Sequence, residues 1–438
     1  MPGADRQAHE GILKTVFEKK IVAALNQLNP LKDYLKTESS PFGGFEITFP
    51  AHVGRGMAGT GWSGEDGAIP DAGTQRFVKM RIGQAKMTAR MRTTWETMND
   101  TSGGEYAYKA SKKVEMEGVI SDMARREEAA LTLEGRGILA RINEATPSGN
   151  TTLELDDPGG LVDTDFGNRL IFVDMILAAV NPATGTPRAN TEVVSAVNED
   201  GTDVTLNSTP NAAWADNDFV VQANTASASG TPDINDTSWE KAWYGLVGLF
   251  DDGTYRTNYF GADRNTYPAF NSYVVASTGA LSMDLLQRSV DVVHQKLGGV
   301  IDVMFMHHDT RRLVLQIQDS DRRYSGDKLM RPDIGTSAMK QEEPVIGTIP
   351  VKVIRDFPYD MVLGIDSKKA AITRYVSEEG KWADESGSIL KQIGSGTTLR
   401  DSFEAYFRKR QQYFAPGPGY AFRLDAITGT THVIVRAP

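Results

Sequence analysis

The sequence from Gly54 to Thr94 reads GRGMAGTGWSGEDGAIPDAGTQRFVKMRIGQAKMTARMRTT, and its two halves differ in character. The first half is rich in glycine and polar residues, a composition that forms no compact core. In the second half polar and apolar side chains alternate, which is the pattern of a β-strand with one buried face. The polar positions are Lys79, Arg81, Thr88, Arg90 and Arg92. The apolar positions are Met80, Ile82, Met87, Ala89 and Met91.

This stretch predicts a long hairpin with a flexible tip, because strand-like residues at Phe45, Thr48 and Phe49 precede the glycine-rich segment. We expect the hairpin to span residues 45–99. Its apolar face has little of its own polypeptide to pack on, and a hairpin that projects onto another subunit would account for that. The pattern therefore favours a protein that associates with copies of itself.

Five basic residues would lie on one face of this hairpin: Lys79, Arg81, Lys86, Arg90 and Arg92. Three explanations suit them. They form a solvated strand face, they pair with acidic residues of another copy, or they contact DNA. The acidic partners in the second explanation are Glu115, Glu117, Glu127 and Glu128. One exposed ion pair contributes only about 0–1 kcal/mol, but many repeated pairs would set the register of an assembly.

The longest predicted helix runs from about Gly104 to Leu133, with N-cap residues before it and Gly135 after it. Its apolar side consists of Val114, Met116, Ile120, Met123, Ala130 and Leu131. Charged residues cover the other sides. At 1.5 Å per residue the helix would be about 45 Å long. That length suits an element that lies across a plate.

The remaining segments differ in pattern. Residues 145–235 are rich in Thr, Asn, Asp, Gly and Val and predict an inserted β-rich module, with a hairpin turn at Asp200-Gly201. From residue 240 onward the pattern becomes α/β, with a helix that begins after Ser282 and ends at Gly298. Near the start of the chain, Ala8–Leu28 predicts an amphipathic helix that belongs to an N-terminal arm.

Composition excludes several classes of protein. The chain has 438 residues and no cysteine, so disulfides, thiolate catalysis and cysteine-ligated zinc are excluded. Its net charge of −10 argues against a dedicated DNA-coating protein. The longest apolar run, Leu170–Val180, is far shorter than the roughly 20 residues of a membrane span. Because the first ten residues are polar and charged, we expect no signal peptide and no membrane anchor.

No motif predicts chemistry. Gly54–Gly59 matches G-x-G-x-x-G, but no helical pattern follows it, as a nucleotide site requires. In the one histidine cluster, His307-His308-Asp309, adjacent side chains at a strand end would point to opposite faces. We interpret Asp309 as a helix cap. No nucleophile elbow and no carboxylate pair across a cleft is recognisable. We therefore predict no catalytic, metal or cofactor site and no enzymatic activity.

The order of these parts resembles that of the major capsid proteins of tailed bacteriophages with the HK97-type fold. The resemblance covers most of the chain, including Gly245–Ser289, which contains Gly261-Ala262-Asp263-Arg264, and the closing segment Tyr413–Thr428. It implies an α+β fold in six segments. These are an N-terminal arm (1–44), an extended hairpin or E-loop (45–99), a spine helix and peripheral domain (100–144), a β-rich insertion (145–235), an axial α/β domain (236–400) and C-terminal peripheral-domain strands (401–438).

The same resemblance implies a structural protein whose copies assemble, as hexamers and pentamers, into an icosahedral shell around phage DNA. Its partners would be itself, a portal, a scaffold or decoration protein, and double-stranded DNA held by weak non-specific contact. Candidate DNA contacts are Lys112, Lys113, Arg125 and Arg126. The shell would be part of the virion, built from subunits made in the host cytoplasm.

Two alternatives stay open at the level of the sequence. One is the shell of an encapsulin-like nanocompartment, which shares the fold and packages protein. The other is a soluble carbohydrate-active enzyme or binding protein, because Thr/Asn/Gly-rich β modules occur there too. Such proteins gather tryptophans in a groove, whereas the six here are scattered along the chain: Trp62, Trp95, Trp214, Trp239, Trp243 and Trp382.

Overall fold

The structure is a computed structural model. It describes residues 31, 34–38, 46–54, 59–94, 105–144, 147–161, 166–227, 229–321, 345–346, 349–382, 391–392 and 402–430. The predicted helix Ala8–Leu28 lies outside the described residues.

A five-stranded sheet packs against the long helix to form two layers of the structure. The strands are β1 (Leu35–Glu38), β4 (Ala85–Thr94), β19 (Ile372–Trp382), β20 (Lys391–Gln392) and β21 (Ser402–Phe414). The helix is α1 (Glu105–Thr132), 28 residues and therefore about 42 Å long. The sheet and the helix share a hydrophobic cluster: Met91, Met116, Ile120, Met123, Ala124, Trp382, Ala405 and Phe407. The prediction of this helix is confirmed within one residue at each end.

The hairpin is shorter than the sequence predicted. It consists of β2 (Glu46–Gly54) and β3 (Arg76–Gly83), which are antiparallel. Strand β4 follows after a single residue and instead pairs with ten residues of β21 in the body. The apolar side chains of β4 contact α1 of the same chain, and Ile47, Phe49, Val53 and Val78 of the hairpin pack against the main core. The prediction that all of 45–99 projects is therefore wrong for residues 85–94. The expectation that the apolar face of the hairpin has little of its own polypeptide to pack on is wrong for β2 and β3 as well. Alternation along a strand shows which side chains are buried, but it does not show which element buries them.

Part of the predicted N-terminal arm also packs on its own chain. Strand β1 is parallel to β19, with Leu35 opposite Ile372. Leu31 is buried, and the ring of Tyr34 meets that of Phe305 edge to face at 5.5 Å. The described end of the arm therefore has a partner within its own chain.

The β-rich insertion is a closed six-stranded barrel. Its strands are β5 (Ile138–Ile142), β6 (Thr152–Asp156), β7 (Ile176–Val180), β8 (Glu192–Val197), β9 (Asp203–Leu206) and β10 (Phe219–Gln222). They close in the order β10-β5-β6-β9-β8-β7 around a core that includes Leu153, Leu177 and Trp214. The predicted turn at Asp200-Gly201 joins β8 to β9 and is confirmed. The module begins at Ile138 rather than at residue 145, because β5 pairs with both β6 and β10.

A six-stranded sheet with two helices completes the body. Its strands are β13 (Tyr273–Val275), β15 (Val303–Met306), β16 (Val345–Ile346), β17 (Ile349–Val353), β18 (Val362–Ile365) and β22 (Ala421–Leu424). Helix α3 (Met283–Leu297) begins after Ser282, whose hydroxyl accepts the N–H of Leu285, and ends at the left-handed Gly298, as predicted. Helix α4 spans His308–Asp321.

The C-terminal segment divides between two sheets. Strand β21 belongs to the five-stranded sheet, but β22 lies between β13 and β18 in the six-stranded one. Segment 401–438, which the sequence predicted as one set of strands, therefore contributes to both sheets. The short elements are α2 (Leu246–Leu249), β11 (Asn258–Tyr259), β12 (Ala262–Asp263), β14 (Gly279–Ala280) and β23 (Ile427–Thr428).

Candidate assembly surfaces

The hairpin has a packed base and an exposed end. Near the base, Met80 and Ile82 are buried in the main core, and the N–H of Arg81 donates to the carbonyl of Phe260 at 2.8 Å. At the far end, Trp62 and Ile69 are 106% and 87% exposed. Large apolar side chains that stand this far out in water commonly mark a binding surface. The base positions the hairpin, and the two large apolar side chains at its end are exposed to water.

We call residues 59–75 the hairpin tip. Its charged residues are all acidic: Glu65, Asp66 and Asp71, each exposed. The tip contains no lysine or arginine. The sequence pattern drew attention to the basic stem of the hairpin and overlooked the opposite charge of its tip. An apolar and acidic tip fits a surface that has cations beside apolar or aliphatic groups.

The five predicted basic residues lie on two different elements. Lys79 and Arg81 are exposed on β3, and Arg81 lies 3.9 Å from Glu46 on the neighbouring strand. Lys86, Arg90 and Arg92 are exposed on β4, in the five-stranded sheet. The prediction of one continuous basic face on a single hairpin is therefore wrong, because the chain leaves the hairpin after Gly83.

The three cations of β4 belong to a larger surface. We call it the basic sheet face, and it consists of Lys86, Arg90, Arg92, Lys381 and Arg410. Cross-strand register places Lys86 beside Arg410, and the opposite side of the sheet packs on α1. Arg90 pairs with Glu404 at 2.6 Å, and Arg410 pairs with Glu378 at 3.6 Å. The other three cations have no carboxylate partner among the described residues, so the face has a net positive charge.

The four predicted acidic partners fall into an exposed pair and a buried pair. Glu115 and Glu117 are exposed on α1. Glu127 and Glu128 are buried in their own subunit, 2% and 5% exposed. Glu127 accepts hydrogen bonds from Lys409, from Gln411 at 2.9 Å and from Tyr413 at 3.0 Å. The prediction that Glu127 and Glu128 meet another copy is therefore wrong.

Glu128 lies at the junction of α1 with the six-stranded sheet. Arg355 contacts its carboxylate at 3.3 Å. Burial, helped by the nearby carboxylate of Asp356 and opposed by Arg355, raises the pKa of Glu128 to about 7. Beside it, the hydroxyl of Thr132 donates to the carbonyl of Asp356 at 2.9 Å. This group ties the end of the long helix to the loop after β17.

A second buried network was not anticipated from the sequence, although its Arg264 lies in the quoted segment Gly261–Arg264. Asp251, Arg264 and Arg423 are all 0% exposed, and Asp251 lies within 3.4 Å of Arg264 and 2.9 Å of Arg423. Arg264 also donates to the carbonyls of Gly248 and Leu249. Burial lowers the pKa of Arg264. The two arginines hold the turn α2 against β22.

The histidine cluster has a structural role. His307 is buried, and its Nδ1 accepts the N–H of Asp309 at 3.2 Å, at the start of α4. Asp309 lies inside the first turn and pairs with Arg312 at 2.8 Å. The cap is therefore His307 rather than the predicted Asp309. Burial, with a smaller effect from Arg311, lowers the pKa of His308.

The described residues contain no group of three or more His, Asp and Glu side chains that could hold a metal ion. In the described ranges, no helix is long and apolar enough to cross a membrane. Of the five tryptophans within those ranges, only Trp62 is exposed; Trp214, Trp239, Trp243 and Trp382 are buried. An exposed groove of tryptophans, which a carbohydrate-binding protein would need, is therefore absent from the described part of the chain.

Two of the candidate DNA-contacting residues interact with side chains of their own subunit. The guanidinium of Arg125 lies over the ring of Phe172 at 5.3 Å, and Arg126 donates to Gln222. Both side chains join α1 to the barrel, and burial lowers the pKa of Arg126. The side chains of Lys112 and Lys113 lie outside the described residues.

The chain matches the structure "Cyanophage A-1(L) capsid asymmetric unit" with a TM-score of 0.53 and 10% identity, over 92% of each chain. The structure titled "Capsid of native GTA particle computed with C5 symmetry" matches with a TM-score of 0.41 and 13% identity, over 91% of this chain and 90% of that one. No family model and no curated protein matches the sequence. At such low identity, the match to the cyanophage structure shows a shared α+β fold.

Proposed function

We propose that this chain is the major capsid protein of a tailed bacteriophage, and that its copies assemble into an icosahedral shell that encloses DNA. The observation that carries the proposal is the hairpin tip. It presents Trp62 and Ile69 to water on a body whose fold matches a phage capsid subunit. A monomer gains nothing from this arrangement, whereas a closed assembly can cover every tip with a neighbouring copy.

The tip of one copy docks on the basic sheet face of the next. The tip brings the carboxylates of Glu65, Asp66 and Asp71, and the sheet brings Lys86, Arg92 and Lys381 without carboxylate partners among the described residues. Electrostatic complementarity of this kind selects the partner surface and the register. Burial of the Trp62 side chain adds about 2–3 kcal/mol before the costs of association.

A second contact joins the stem of the hairpin to the long helix of a neighbour. Lys79 and Arg81 are exposed on the stem, and Glu115 and Glu117 are exposed on α1. This retains the part of the original pairing hypothesis whose residues are on the surface. Each such pair contributes about 0–1 kcal/mol, so these contacts set the register, and the tip supplies the affinity.

Other parts of the assembly follow from the proposed role. Subunits form hexamers and pentamers, and the six-stranded sheet with α3 and α4 is the axial domain that meets the symmetry axes. The five-stranded sheet with α1 is the peripheral domain. A portal replaces one vertex, and a scaffold or decoration protein joins some shells of this type. The subunits are made in the bacterial host and end in the virion, without enzymatic activity of their own.

Sedimentation and negative-stain electron microscopy of the expressed chain test the proposal. We expect the wild type to form shells or capsomers. The double reversal Glu65→Lys/Asp71→Lys in the tip stops assembly, and so does Lys86→Glu/Arg92→Glu on the sheet. Combining all four changes restores assembly, because the tip and the sheet are again opposite in charge. Reversal of one exposed lysine elsewhere, Lys368→Glu, serves as the control for changed net charge.

A wild-type chain that stays monomeric at high concentration overturns the proposed function. If the tip variant and the sheet variant, tested separately, both still form normal shells, the proposed docking site is wrong. The proposed function is unaffected by that result. Circular dichroism of each variant shows whether the subunit is folded. The reversed residues are all exposed, so we expect native spectra.

A further inference from the structure

The barrel module is charged very differently from the rest of the chain. Residues 138–240 contain 16 acidic and three basic residues, with no lysine and no histidine, whereas the other 335 residues contain 41 acidic and 44 basic. The module therefore has a net charge of −13, and the rest of the chain has a net charge of +3. Charge segregation on this scale sets up a one-sided field around the subunit.

The three arginines of the module form ion pairs or hydrogen bonds within their own chain. Arg141 pairs with Asp157 at 2.9 Å, and Arg188 pairs with Asp218 at 2.8 Å. Arg169 donates to backbone carbonyls of the loop after β17. None of the three is left to neutralise the barrel surface.

The carboxylates, in contrast, face water. Eight acidic side chains of the module are exposed: Glu154, Asp174, Glu199, Asp200, Asp216, Asp233, Asp236 and Glu240. Lys241, just beyond the module, lies near Asp233 and Asp236. The other six have no cation partner in the described part of the chain. The barrel surface is thus acidic without compensation.

The chain segments that enter and leave the barrel lie side by side. The chain enters it at Gly137 and leaves it at Ser238, and the hydroxyl of Ser238 donates to the carbonyl of Gly137 at 2.8 Å. The N–H of Glu240 likewise donates to the carbonyl of Arg136 at 2.7 Å. A module with its own core and paired entry and exit strands can stand out from a plate without disturbing it.

We infer that the barrel stands on the outer surface of the shell, turned away from the packaged DNA. The inference rests on the proposed function. DNA carries one negative charge per roughly 1.7 Å of its axis, and at physiological salt charges interact strongly within about 8 Å. A barrel on the inner surface would bring at least six uncompensated carboxylates per copy against tightly packed phosphates. On the outer surface the same carboxylates face solvent and keep shells apart.

Because the chain has no cysteine, a single introduced thiol reports the side on which the barrel lies. Ala213 is exposed on the barrel, so Ala213→Cys leaves the core untouched. Intact shells of this variant are treated with a maleimide attached to a polymer too large to pass through the shell. We expect complete labelling of intact shells, equal to that of shells first dissociated in guanidinium. Wild-type shells serve as the blank.

Electrophoresis of intact shells gives a second, independent readout. The variant Glu199→Gln/Asp200→Asn/Asp216→Asn loses three outer charges per copy and should migrate measurably more slowly toward the anode in native agarose. Labelling of Ala213→Cys only after dissociation, together with unchanged mobility of the triple variant, overturns the inference and leaves the proposed function intact. If the wild type forms no shell at all, the proposed function fails and the placement of the barrel fails with it.

Discussion

Replacement of one buried carboxylate tests how the body of the subunit is held together. Asp251 accepts hydrogen bonds from both Arg264 and Arg423, and its Oδ2 also accepts the N–H groups of Tyr255 and Arg256 at 3.0 and 2.8 Å. Asp251→Asn preserves the shape of the side chain and removes its charge. Arg423 retains Asp425 at 2.9 Å, but among the described residues Arg264 has no other carboxylate.

The expected cost follows from that asymmetry. Removing one partner of a buried ion pair leaves an uncompensated charge and typically costs about 3–5 kcal/mol. Neutral oxygens of Gly248, Leu249 and Phe270 still contact Arg264, so we expect the lower part of that range. A domain is usually stable by about 5–15 kcal/mol, so the variant folds but unfolds at much lower urea.

Urea unfolding of the dissociated subunit, followed by tryptophan fluorescence, measures the free energy of unfolding. The matched control is Asp252→Asn, the same chemical change one residue later. Among the described residues, the Asp252 carboxylate accepts hydrogen bonds from Thr254 alone. We expect a change there of less than about 0.5 kcal/mol. In a double-mutant cycle with Arg264→Met, the two single changes should sum to at least about 1.5 kcal/mol more than the double change. A cost below 1 kcal/mol for Asp251→Asn, or strict additivity, would refute the reasoning.

Three further predictions concern assembly, the pH dependence of stability and core packing. Trp62→Ala should leave the melting temperature of the subunit unchanged, because the indole is exposed in the subunit. It should raise the critical concentration of assembly, measured by light scattering, roughly 30–150-fold, because the docked indole contributes about 2–3 kcal/mol; unaffected assembly contradicts this. The pKa of Glu128, raised to about 7 from 4.5, means that its ionisation opposes folding, so wild-type stability should fall as the pH rises from about 5 to 8. Glu128→Gln should flatten that dependence and be more stable by about 1–2 kcal/mol at pH 8, a figure reduced for partial solvent screening; parallel urea midpoints from pH 5 to 8 exclude it. Gly248→Ala would place a Cβ 2.0 Å from the carbonyl oxygen of Glu134 and should destabilise the subunit by at least about 2 kcal/mol. A Cβ added at Gly118 on α1 meets nothing within 4 Å, so Gly118→Ala should stabilise the subunit by up to about 1 kcal/mol. Equal melting temperatures of the two variants would contradict the close packing at Gly248.

Local patterns predicted several elements well, and particular residues show why. The long helix was recognisable from Met116, Ile120 and Met123 at helical spacing between a capping segment and Gly135. Ser282 and Gly298 marked both ends of α3, and Asp200-Gly201 marked the turn between β8 and β9. In each case the signal and the structure lie within a few residues of one another, so no distant contact was needed.

The errors arose where a distant partner decides the outcome. Strand β4 looked like hairpin because its partner β21 lies about 300 residues away. The burial of Glu127 had a local signal that the prediction overlooked. It follows Met123 by four residues, in phase with the apolar side of α1, and its partner Lys409 alternates in phase with Ala405 and Phe407 on β21. A carboxylate and an amine that both interrupt apolar faces are good candidates for a buried pair.

The junction at Gln84 gives the hairpin a mechanical role. One residue separates β3 from β4, and the indole of Trp243 donates to the carbonyl of Ala85 at 3.1 Å, just where the chain enters the sheet. A tension applied at a captured tip therefore reaches β4 at its first residue and acts along the strand, so ten cross-strand partners on β21 resist it in shear instead of separating one by one. A particle under internal pressure would spread that load from each subunit into the sheet that supports the long helix of the same chain.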